Sequence, residues 1–404
     1  MELKRYKLGE ILELQRGYDL PSSQQKAGNV LVAGSNGIIG YHNEIRGNHP
    51  CITVGRSGSV GKVHYYEQPT WAHNTALFVK DFKGNNPQYL YYFLKNLRLD
   101  EMFVKGSSVV PSLDRKVVHS LVVPFHKEVV CQKRIALVLS NIDRKIELNR
   151  AINQNLEAMA KQLYDYWFVQ FDFPNEEGKP YKSSGGAMVW NEKLKREIPE
   201  GWNVMSINEI CTSCRGVSYG KDDLLSNSNG VLVLRGNNIE NNHIVYDSNV
   251  AFVPYDFVSE EQHIKEGDII MTMSSGSKAH VGKCAMFHKD SEHTFGAFLS
   301  KFTPKKELRY MTFLFLTSEY FKSLITAFCN GTGINNLTNQ TFDDVLLVLP
   351  DEKKTRLFES KVNGLFAMIG NNEENERILI KQRDELLPLL MNGQASVNSD
   401  LSDD

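Results

Sequence analysis

The feature that most constrains the fold of this chain is an internal repeat. The segment from Leu8 to Gly17 matches the segment from Ile207 to Gly216 at a constant shift of 199 positions. Further matches follow in the same order: a strand-like run with a Gly/Asn loop, a Ser-Gly turn ending in Gly-Lys, and a Gly-rich loop before an apolar run ending in proline. They lie at 30–36 and 231–237, at 57–62 and 275–283, and at 105–124 and 330–350. A repeated chain of 404 residues predicts two similar domains, since domains usually span about 100–200 residues.

A long amphipathic segment follows each copy. Apolar positions recur every four then three residues from about Gln132, and again 223 positions later, which is the spacing of a coiled-coil seam. A helix from Gln132 to Trp167 would be about 54 Å long, too long for one small domain to bury, so we expect the two helices to pair. Asn149 and Asn372 share a seam position, where a buried Asn would fix the register; alternatively, both face solvent. The seam residues are Ile135, Leu139, Ile142, Ile146, Asn149, Asn153, Leu156, Ala160, Leu163 and Trp167 in the first helix and Phe358, Val362, Leu365, Ile369, Asn372, Glu376, Leu379, Arg383, Leu386 and Leu390 in the second.

Composition and charge limit the function classes. Hydrophobic residues make up 41% of the chain and charged residues 23%, as in an ordinary globular protein. The formal net charge of −2 excludes a uniformly basic nucleic-acid binder but allows a local basic face. Residues 1–125 contain 15 Lys plus Arg against 10 Asp plus Glu, whereas residues 199–350 contain 12 against 17. Because phosphate contacts normally draw on Lys and Arg, the second domain is the less suited to bind a nucleic-acid backbone.

Targeting and metal-binding signals are weak. No apolar run approaches the ~20 residues of a membrane helix, and the N-terminal residues do not read as a signal peptide. We therefore expect a cytoplasmic protein with no membrane contact. The six cysteines are scattered, and the close pair Cys211 and Cys214 has no second Cys or His pair at zinc spacing, so we expect no metal site.

Two glycine motifs superficially resemble nucleotide-binding loops. Five residues separate Gly55 from Gly61 where a phosphate loop has four, and Val63 takes the place of the Ser or Thr that holds magnesium. The second copy has the same gap, so both are predicted to be tight turns between strands. The glycines from Gly34 to Gly40 lack the spacing of a dinucleotide-binding loop, and we predict an ordinary loop there. A nucleotide-dependent enzyme that uses the Gly-Lys turns stays open as an alternative.

Catalytic signatures are also missing from the sequence. Asp351 and the run Glu359-Ser360-Lys361 resemble a nuclease carboxylate cluster, but they lie at the start of a predicted long helix, where acidic residues are common. The chain contains neither Asn-Pro-Pro-Tyr nor Asp-Pro-Pro-Tyr, the signatures of amino-methyltransferases. We therefore predict no catalytic residue and no cofactor bound by this chain.

The loops of both copies carry side chains suited to the edges of DNA bases. Arg pairs with guanine, Asn or Gln with adenine, and Ser or Thr with either. Any one of these could be a solvated loop residue, but two matched sets together favour DNA reading. The candidates are Ser35, Asn36, Arg56, Ser57, Ser59, Lys62, Asn74, Lys105, Ser107 and Ser108 in the first copy and Arg235, Asn237, Asn238, Ser275, Ser277, Lys278, Lys283, Thr332, Asn335 and Asn336 in the second.

The segment between the copies has the most specific pattern. It contains Leu163-Tyr164-Asp165-Tyr166-Trp167-Phe168, Phe171-Asp172-Phe173-Pro174, Gly178-Lys179-Pro180-Tyr181-Lys182 and Ile198-Pro199-Glu200-Gly201-Trp202. Together with the duplicated domains, the Gly-Lys turns and the two helices, this pattern resembles the specificity subunits of Type I restriction-modification systems. The resemblance covers nearly the whole chain.

The resemblance implies an α+β (mixed α/β) fold of two target-recognition domains linked by two long antiparallel coiled-coil spacer helices. Each domain would read one half of a split, asymmetric site in double-stranded DNA. The helices would set the spacing, since major-groove faces one turn apart lie ~34 Å apart, and would dock two methyltransferase subunits. S-adenosylmethionine, ATP and magnesium would be held by those subunits and by restriction/translocase subunits, and the chain itself would not be an enzyme.

The expected organisation follows from these assignments. The linker is rich in Gly, Pro, Ser and Lys, and the tail in Ser, Asp and Asn, which favours disorder. Besides the enzyme, a coiled-coil scaffold without DNA recognition and a system with a methyltransferase but no nuclease stay open. The predicted segments are recognition domain 1 at 1–125, spacer helix 1 at 126–170, a linker at 171–198, recognition domain 2 at 199–350, spacer helix 2 at 351–392 and a disordered tail at 393–404.

Overall fold

The chain forms two compact units. The computed structural model describes residues 3–104, 112–226, 229–246, 250–332 and 336–397, except for the side chains of 103–104 and 330–332. One unit consists of Met1–Leu148 with Asn375–Asp404, and the other of Asn149–Glu374. Each unit therefore contains one half of both long helices, whereas the sequence assigned these helices to segments of their own. The reason is that apolar helix residues complete the core of each unit.

The first unit contains a four-stranded, a three-stranded and a two-stranded sheet. Its strands are β1 (Leu3–Lys7), β2 (Glu13–Arg16), β3 (Val30–Gly34), β4 (Gly37–His42), β5 (Cys51–Gly55), β6 (Val63–Tyr66), β7 (Thr70–Ala72), β8 (Ala76–Asp81) and β9 (Val122–His126). Its helices are α1 (Leu8–Ile11), α2 (Pro87–Asn96), α3 (Leu99–Val104), α4 (Arg115–Ser120) and the first part of α5 (Val129–Tyr164). The strand orders are β2-β8-β5-β6, β4-β3-β7 and β1-β9, and only the pair of β3 and β7 is parallel.

The core of the first unit lies where the four-stranded sheet meets α2 and the long helices. Every residue of β5 is buried, as expected for an interior strand covered on both faces. Helix α2 starts after Asn86, whose side chain accepts a hydrogen bond from Tyr89 N at 2.8 Å. Its Leu90 and Phe93 join one buried cluster with Ile135 of α5. The sheet and the helices thus share a single core.

The second unit repeats this arrangement with additions. Its strands are β10 (Met188–Asn191), β11 (Arg196–Pro199), β12 (Asn203–Ser206), β13 (Cys211–Arg215), β14 (Val231–Leu234), β15 (Ile239–Glu240), β16 (His243–Ile244), β17 (Ala251–Val253), β18 (Ile269–Thr272), β19 (Cys284–Met286), β20 (Thr294–Phe295), β21 (Leu299–Pro304) and β22 (Leu346–Leu349). Its helices are α6 (Ile207–Ile210), α7 (Arg309–Leu316), α8 (Glu319–Thr332), the rest of α5 and the first part of α9 (Glu352–Met391), whose last part belongs to the first unit. The orders β13-β21-β18-β19, β17-β14-β20 and β12-β22 match those of the first unit, and the pair of β14 and β20 is again parallel.

The predicted duplication is confirmed down to its local contacts. Glu10 and Glu209 each accept a hydrogen bond from the residue three positions earlier, which caps α1 and α6 in the same way. A Cβ atom at Gly17 would lie 2.2 Å from a backbone oxygen of His73, and one at Gly216 would lie 2.3 Å from a backbone oxygen of Gly296. The glycine of the repeated Arg-Gly pair is therefore required by the close approach of two backbone segments.

The segment 171–198, predicted as a linker, is folded as part of the second unit. Phe171 and Phe173 are buried, and the ring of Phe173 stacks on Trp202 with 4.6 Å between centroids. Strands β10 and β11 form a hairpin at the end of this segment. The Gly and Pro residues mark turns, as their composition indicates, but burial of the aromatic rings fixes the path between them.

The long helices pack antiparallel within the second unit. The ring of Tyr164, at the end of α5, contacts Phe358 near the start of α9, and Asn372 Nδ2 donates to Asn153 Oδ1 at 2.8 Å. Asn153 is only 4% exposed, whereas Asn149 is half-buried. The asparagine that faces Asn372 is therefore Asn153, because the register of the antiparallel pair places Asn149 away from this contact.

In the first unit the seam also contains an ion pair. Arg383 Nη1 lies 2.9 Å from Asp143 Oδ1, and Tyr92 Oη of α2 donates to Asp143 Oδ2 at 2.6 Å. Arg383 is a charged residue at a predicted position of the apolar seam. The structure compensates this charge with a carboxylate on the other helix, which is itself hydrogen-bonded by the domain.

The start of the predicted disordered tail is ordered. Ala395 and Val397 pack against the core of the first unit, and Gly393 lies beside Leu3. Residues 398–404 lie outside the described residues. The apolar residues at the start of this mostly polar tail thus pack on the core after the C-terminal helix has ended.

Candidate DNA-recognition surfaces

In the first unit, three loops meet at one end of the two larger sheets. We call them loop surface 1; they are 34–37 between β3 and β4, 56–62 between β5 and β6, and 73–75 between β7 and β8. His73 N donates to Ala33 O and Arg56 N donates to Thr75 O, both at 2.9 Å. Leu113 N donates to Arg56 O at 2.9 Å, which brings in the segment before α4. Backbone bonds thus hold sequence-distant loops in one place.

Side chains of loop surface 1 also bond across the loops. Lys62 Nζ donates to Asn36 Oδ1 at 2.9 Å, and Arg56 Nε donates to the carbonyl oxygen of Asn74 at 3.1 Å. Lys105, Ser107 and Ser108 lie outside the described residues. The predicted residues that the structure brings together here, each at least partly exposed, are Ser35, Asn36, Arg56, Ser57, Ser59, Lys62 and Asn74.

Sequence reasoning missed some residues that lie in or beside loop surface 1. Asp19 accepts a hydrogen bond from the Asn74 side chain and pairs with Arg16 at 3.3 Å. Burial lowers the pKa values of His64 and His73, so both imidazoles are neutral at pH 7 and can donate and accept hydrogen bonds. Asp19 is distant from the loops in sequence, and only the tertiary structure brings it next to Asn74. His64 and His73 adjoin predicted residues, but histidine was not among the residue types matched to base edges.

The second unit has a corresponding set of loops, loop surface 2, formed by 235–238, 273–283 and 296–298. Gly296 N donates to Leu234 O at 2.9 Å, Met273 N to Phe298 O at 2.9 Å and Leu337 N to Met273 O at 2.7 Å. These bonds repeat those of loop surface 1 one for one. They make Ser274, rather than Ser275 as the sequence matching had it, the counterpart of Ser57.

The predicted residues of loop surface 2 differ in their availability. Arg235 Nε donates to Tyr219 Oη at 3.0 Å, and Lys283 Nζ lies 3.1 Å from His280 Nδ1. The side chain of Thr332 and the whole of Asn335 lie outside the described residues. Those at least partly exposed on or beside the loops are Arg235, Asn237, Ser275, Ser277, Lys278, Lys283 and Asn336.

Asn238 does not fit the role predicted for it. It is only 1% exposed, its Oδ1 accepts from Arg235 N at 2.9 Å and its Nδ2 donates to Val245 O at 2.9 Å. An amide satisfied in this way holds the turn after β14 and has no edge left for a base. We therefore withdraw Asn238 from the candidate DNA contacts.

The Gly-Lys turns are confirmed as tight connections between strands. Residues 56–62 join the antiparallel strands β5 and β6, whereas a phosphate loop joins a strand to a helix. Gly61 and Gly282 both have φ of +81°, and a Cβ atom at Gly61 would lie 2.1 Å from Asp100 N of α3. At Gly282 the nearest atom would be in the Ile325 side chain, at 3.2 Å. These glycines serve backbone geometry.

The hairpin of β15 and β16, which has no counterpart between β3 and β4, contacts both long helices. His243 Nε2 lies 2.8 Å from Glu157 Oε1 of α5, and His243 Nδ1 lies 2.9 Å from Glu373 Oε1 of α9. Donation to these carboxylates raises the pKa of His243 to about 10, so the ring is a cation at neutral pH. His288, whose own pKa is lowered by burial, faces Glu373 at 3.9 Å.

The acidic run at the start of the second helix has a structural use. Glu359 accepts hydrogen bonds from Met311 N at 2.9 Å and Tyr310 N at 3.2 Å, at the N-terminal end of α7. Burial raises the pKa of Glu359 to about 7. This carboxylate joins α9 to the domain and lies apart from loop surface 2, since it contacts α7 rather than the loops.

Comparison with known families identifies the chain. The model of the Type I restriction modification DNA specificity domain matches residues 2–158 and 199–363, which are most of the two repeats. The chain belongs to this family. The resemblance predicted from the sequence motifs is thereby confirmed.

Two curated relatives illustrate the range of this specificity family. The chain is 31% identical to the Type I restriction enzyme EcoKI specificity subunit of Escherichia coli over 207 residues, which are 49% of this chain and 44% of that subunit. It is 26% identical to the MjaIX specificity subunit of Methanocaldococcus jannaschii over 77% of this chain and 69% of that subunit. The match to the EcoKI subunit thus spans less than half of either protein.

A solved member of the specificity family has the same fold. The S subunit of a Type I restriction-modification system from M. genitalium matches 96% of both chains with a TM-score of 0.57 and 15% sequence identity. Among the described residues, no helix combines the length and apolar character needed to cross a membrane. Within the same residues, no group of three His, Cys, Asp or Glu side chains is placed to hold a metal ion.

Proposed function

We propose that this chain reads a bipartite, asymmetric DNA site, each domain contacting one half, as the non-catalytic specificity subunit of a cytoplasmic Type I methyltransferase or restriction complex. The observation that carries the proposal is the twofold occurrence of one loop arrangement. Loop surfaces 1 and 2 are built by equivalent backbone bonds, yet their side chains differ. Equal scaffolds with unequal side chains suit two half-sites of different sequence.

The proposed partners supply the catalytic steps that we assign to no residue of this chain. Adenine N6 methylation within a duplex requires the base to be flipped into an active site, which we assign to two methyltransferase subunits with S-adenosylmethionine. ATP and magnesium belong to restriction/translocase subunits where these are present. Exposed apolar residues support the docking of a methyltransferase subunit on α5. Ile152 and Met159 lie seven positions apart on one face of this helix in the second unit, and Met159 is 55% exposed.

Removal of the chain tests the function directly. The chain is co-purified with its methyltransferase subunit, and N6-methyladenine is mapped across the genome with and without it. A split motif that disappears with the chain, and whose first half changes when residues 1–125 are exchanged, supports the proposal. Unchanged methylation would refute it and leave the scaffold as the function to test.

A paired lysine substitution tests loop surface 1. Lys62→Met removes a cation from the loops, whereas Lys80→Met removes one near the other end of β8, where it pairs with Glu13 at 3.3 Å. Loss of one phosphate contact lowers the slope of log affinity against log salt by about 0.9. We expect such a loss, or relaxed selection in the first half-site, for Lys62→Met only. Equal behaviour of both variants would place the DNA elsewhere.

A further inference from the structure

Loop surface 2 presents an aromatic side chain among its polar residues. Phe298, in the loop between β20 and β21, is 72% exposed, the highest value for a large hydrophobic side chain in the described part of the chain. Ser274 N donates a hydrogen bond to the Phe298 carbonyl oxygen, and the polar residue Arg235 belongs to the same loop surface. Single exposed apolar residues are common on proteins, so the exposure of Phe298 alone does not indicate a function and its position has to be considered.

The backbone around Phe298 is fixed on both sides. Its carbonyl oxygen accepts hydrogen bonds from Met273 N at 2.9 Å and Ser274 N at 3.3 Å. Leu299 N donates to Gly296 O at 2.8 Å, and Ala297 N donates to Val217 O at 2.9 Å. The ring therefore extends into solvent from a rigid turn, so an apolar contact with a ligand would cost little ordering of the loop.

Sheet geometry places Phe298 at the same end as the polar loops. Strand β20 runs parallel to β14, with Phe295 opposite Leu234, so both chains leave the sheet beside Arg235. Strand β17 is antiparallel to β14, so Tyr255, which follows it, lies at the opposite end of the same sheet. Tyr255 is 70% exposed and is thus a matched aromatic away from the loops.

The equivalent position in the first domain is chemically different. Thr75 O accepts from Arg56 N as Phe298 O accepts from Met273 N, which makes the two residues counterparts. The Thr75 hydroxyl is used inside its own domain, 3.2 Å from Ser35 N and 3.0 Å from His73 Nδ1. At this position the first domain has a hydroxyl group that is hydrogen-bonded within the domain, whereas the second domain has an exposed aromatic ring.

Charge gives a reason for this difference. Residues 1–125 have an excess of five basic residues, whereas residues 199–350 have an excess of five acidic ones. Phosphate attraction from the second domain is correspondingly weaker, so contacts with base edges must supply more of its binding. The thymine 5-methyl group is the apolar feature of the major groove, and Phe is among the side chains that contact it.

We propose that Phe298 is a specificity-determining residue that packs on a thymine methyl group in the second half-site. This inference rests on the proposed function, because it assumes that loop surface 2 faces DNA. It assigns the discrimination between thymine and cytosine at one position of the second half-site to an apolar contact.

A double-substitution cycle tests the contact. The assembled methyltransferase complex, with wild-type or Phe298→Ala chain, is titrated with duplexes of the mapped site in which each thymine of the second half-site is replaced in turn by deoxyuridine. Removal of one buried methyl group should weaken wild-type binding about fourfold at one position, and should have no effect in Phe298→Ala. Phe298→Leu should retain part of the effect, and Tyr255→Ala should behave as wild type.

Other outcomes separate the two levels of the proposal. If wild type does not distinguish the mapped site from one with a scrambled second half, the proposed function fails. If it does, but deoxyuridine acts equally on wild type and Phe298→Ala, only the role of Phe298 is refuted. 2-Aminopurine placed beside the thymine, away from the methylated adenine, gives a further test at saturating concentrations of the complex. A rise in its fluorescence that depends on Phe298 would also refute the proposal, since it would mean that the ring unstacks bases.

Discussion

Replacement of His243 should weaken the attachment of the second domain to both long helices. His243 lies between Glu157 of α5 and Glu373 of α9, at 2.8 and 2.9 Å. His243→Gln removes the cation and leaves two carboxylates near each other. Because these groups are partly buried, water compensates for the loss only in part. We therefore expect a lower free energy of unfolding for the second unit.

The size of the effect follows from the protonation of His243. A pKa of about 10 instead of 6.5 corresponds to roughly 5 kcal/mol in favour of the charged ring. The side chains of His243, Glu157 and Glu373 are 30%, 28% and 35% exposed, so solvent screens part of this interaction. We expect His243→Gln to cost about 2–3 kcal/mol at pH 6.5. Since the folded-state pKa is raised, the contribution is full below pH 6.5 and is lost as the pH rises towards 10.

Urea unfolding monitored by tryptophan fluorescence measures this change. Trp167, Trp190 and Trp202 lie in the second unit and Trp71 in the first, so the signal comes mainly from the second. Unfolding of wild type and variant is compared from pH 6 to 10. The difference in unfolding free energy between wild type and His243→Gln should shrink with rising pH. The difference between His243→Arg and His243→Gln should not depend on pH, because arginine stays charged.

A control separates this effect from general damage. His263→Gln, in the loop before β18, changes the same residue type in the same unit and should shift the midpoint little. A difference between wild type and His243→Gln that is constant from pH 6 to 10 would refute the argument, because it would show that the charge of His243 contributes nothing.

Two further sets of substitutions test the repeat and the seam. Gly61→Ala should cost about 3 kcal/mol of stability, because its Cβ atom would meet the backbone of α3. Gly282→Ala should cost about 1–2 kcal/mol, because its Cβ atom would meet a side chain of α8 that can shift. Equal losses of stability, measured by calorimetry, would contradict this. Arg383→Met should cost about 2–3 kcal/mol in urea unfolding by leaving Asp143 without its cation, and Asp143→Asn in the same chain should recover part of the loss. The control Arg356→Met, at an exposed ion pair, should cost below about 0.5 kcal/mol. A similar loss of stability in Arg383→Met and Arg356→Met would refute the role of the ion pair in the seam.

The sequence predicted some parts of the candidate site better than others. Asn36, Arg56 and Lys62 were found because Gly-rich loops and their spacing repeat along the chain. Asp19 was missed because only tertiary contacts bring it to the loops. His73 was missed because histidine was not among the residue types matched to base edges. Asn238 was assigned wrongly, since its residue type suits both a base edge and a buried turn, and only burial distinguishes the two.

The sequence by itself determined the duplication, the two long helices and the family, because each depends on patterns that recur at fixed spacing. Tertiary structure decided what depends on contacts between distant residues: that Asn153 rather than Asn149 faces Asn372, and that His243 contacts both helices. It also decided that segment 171–198 is folded, because buried aromatic rings outweigh turn-forming composition. Spacing along the chain specifies local geometry, whereas partner choice depends on which faces are buried together.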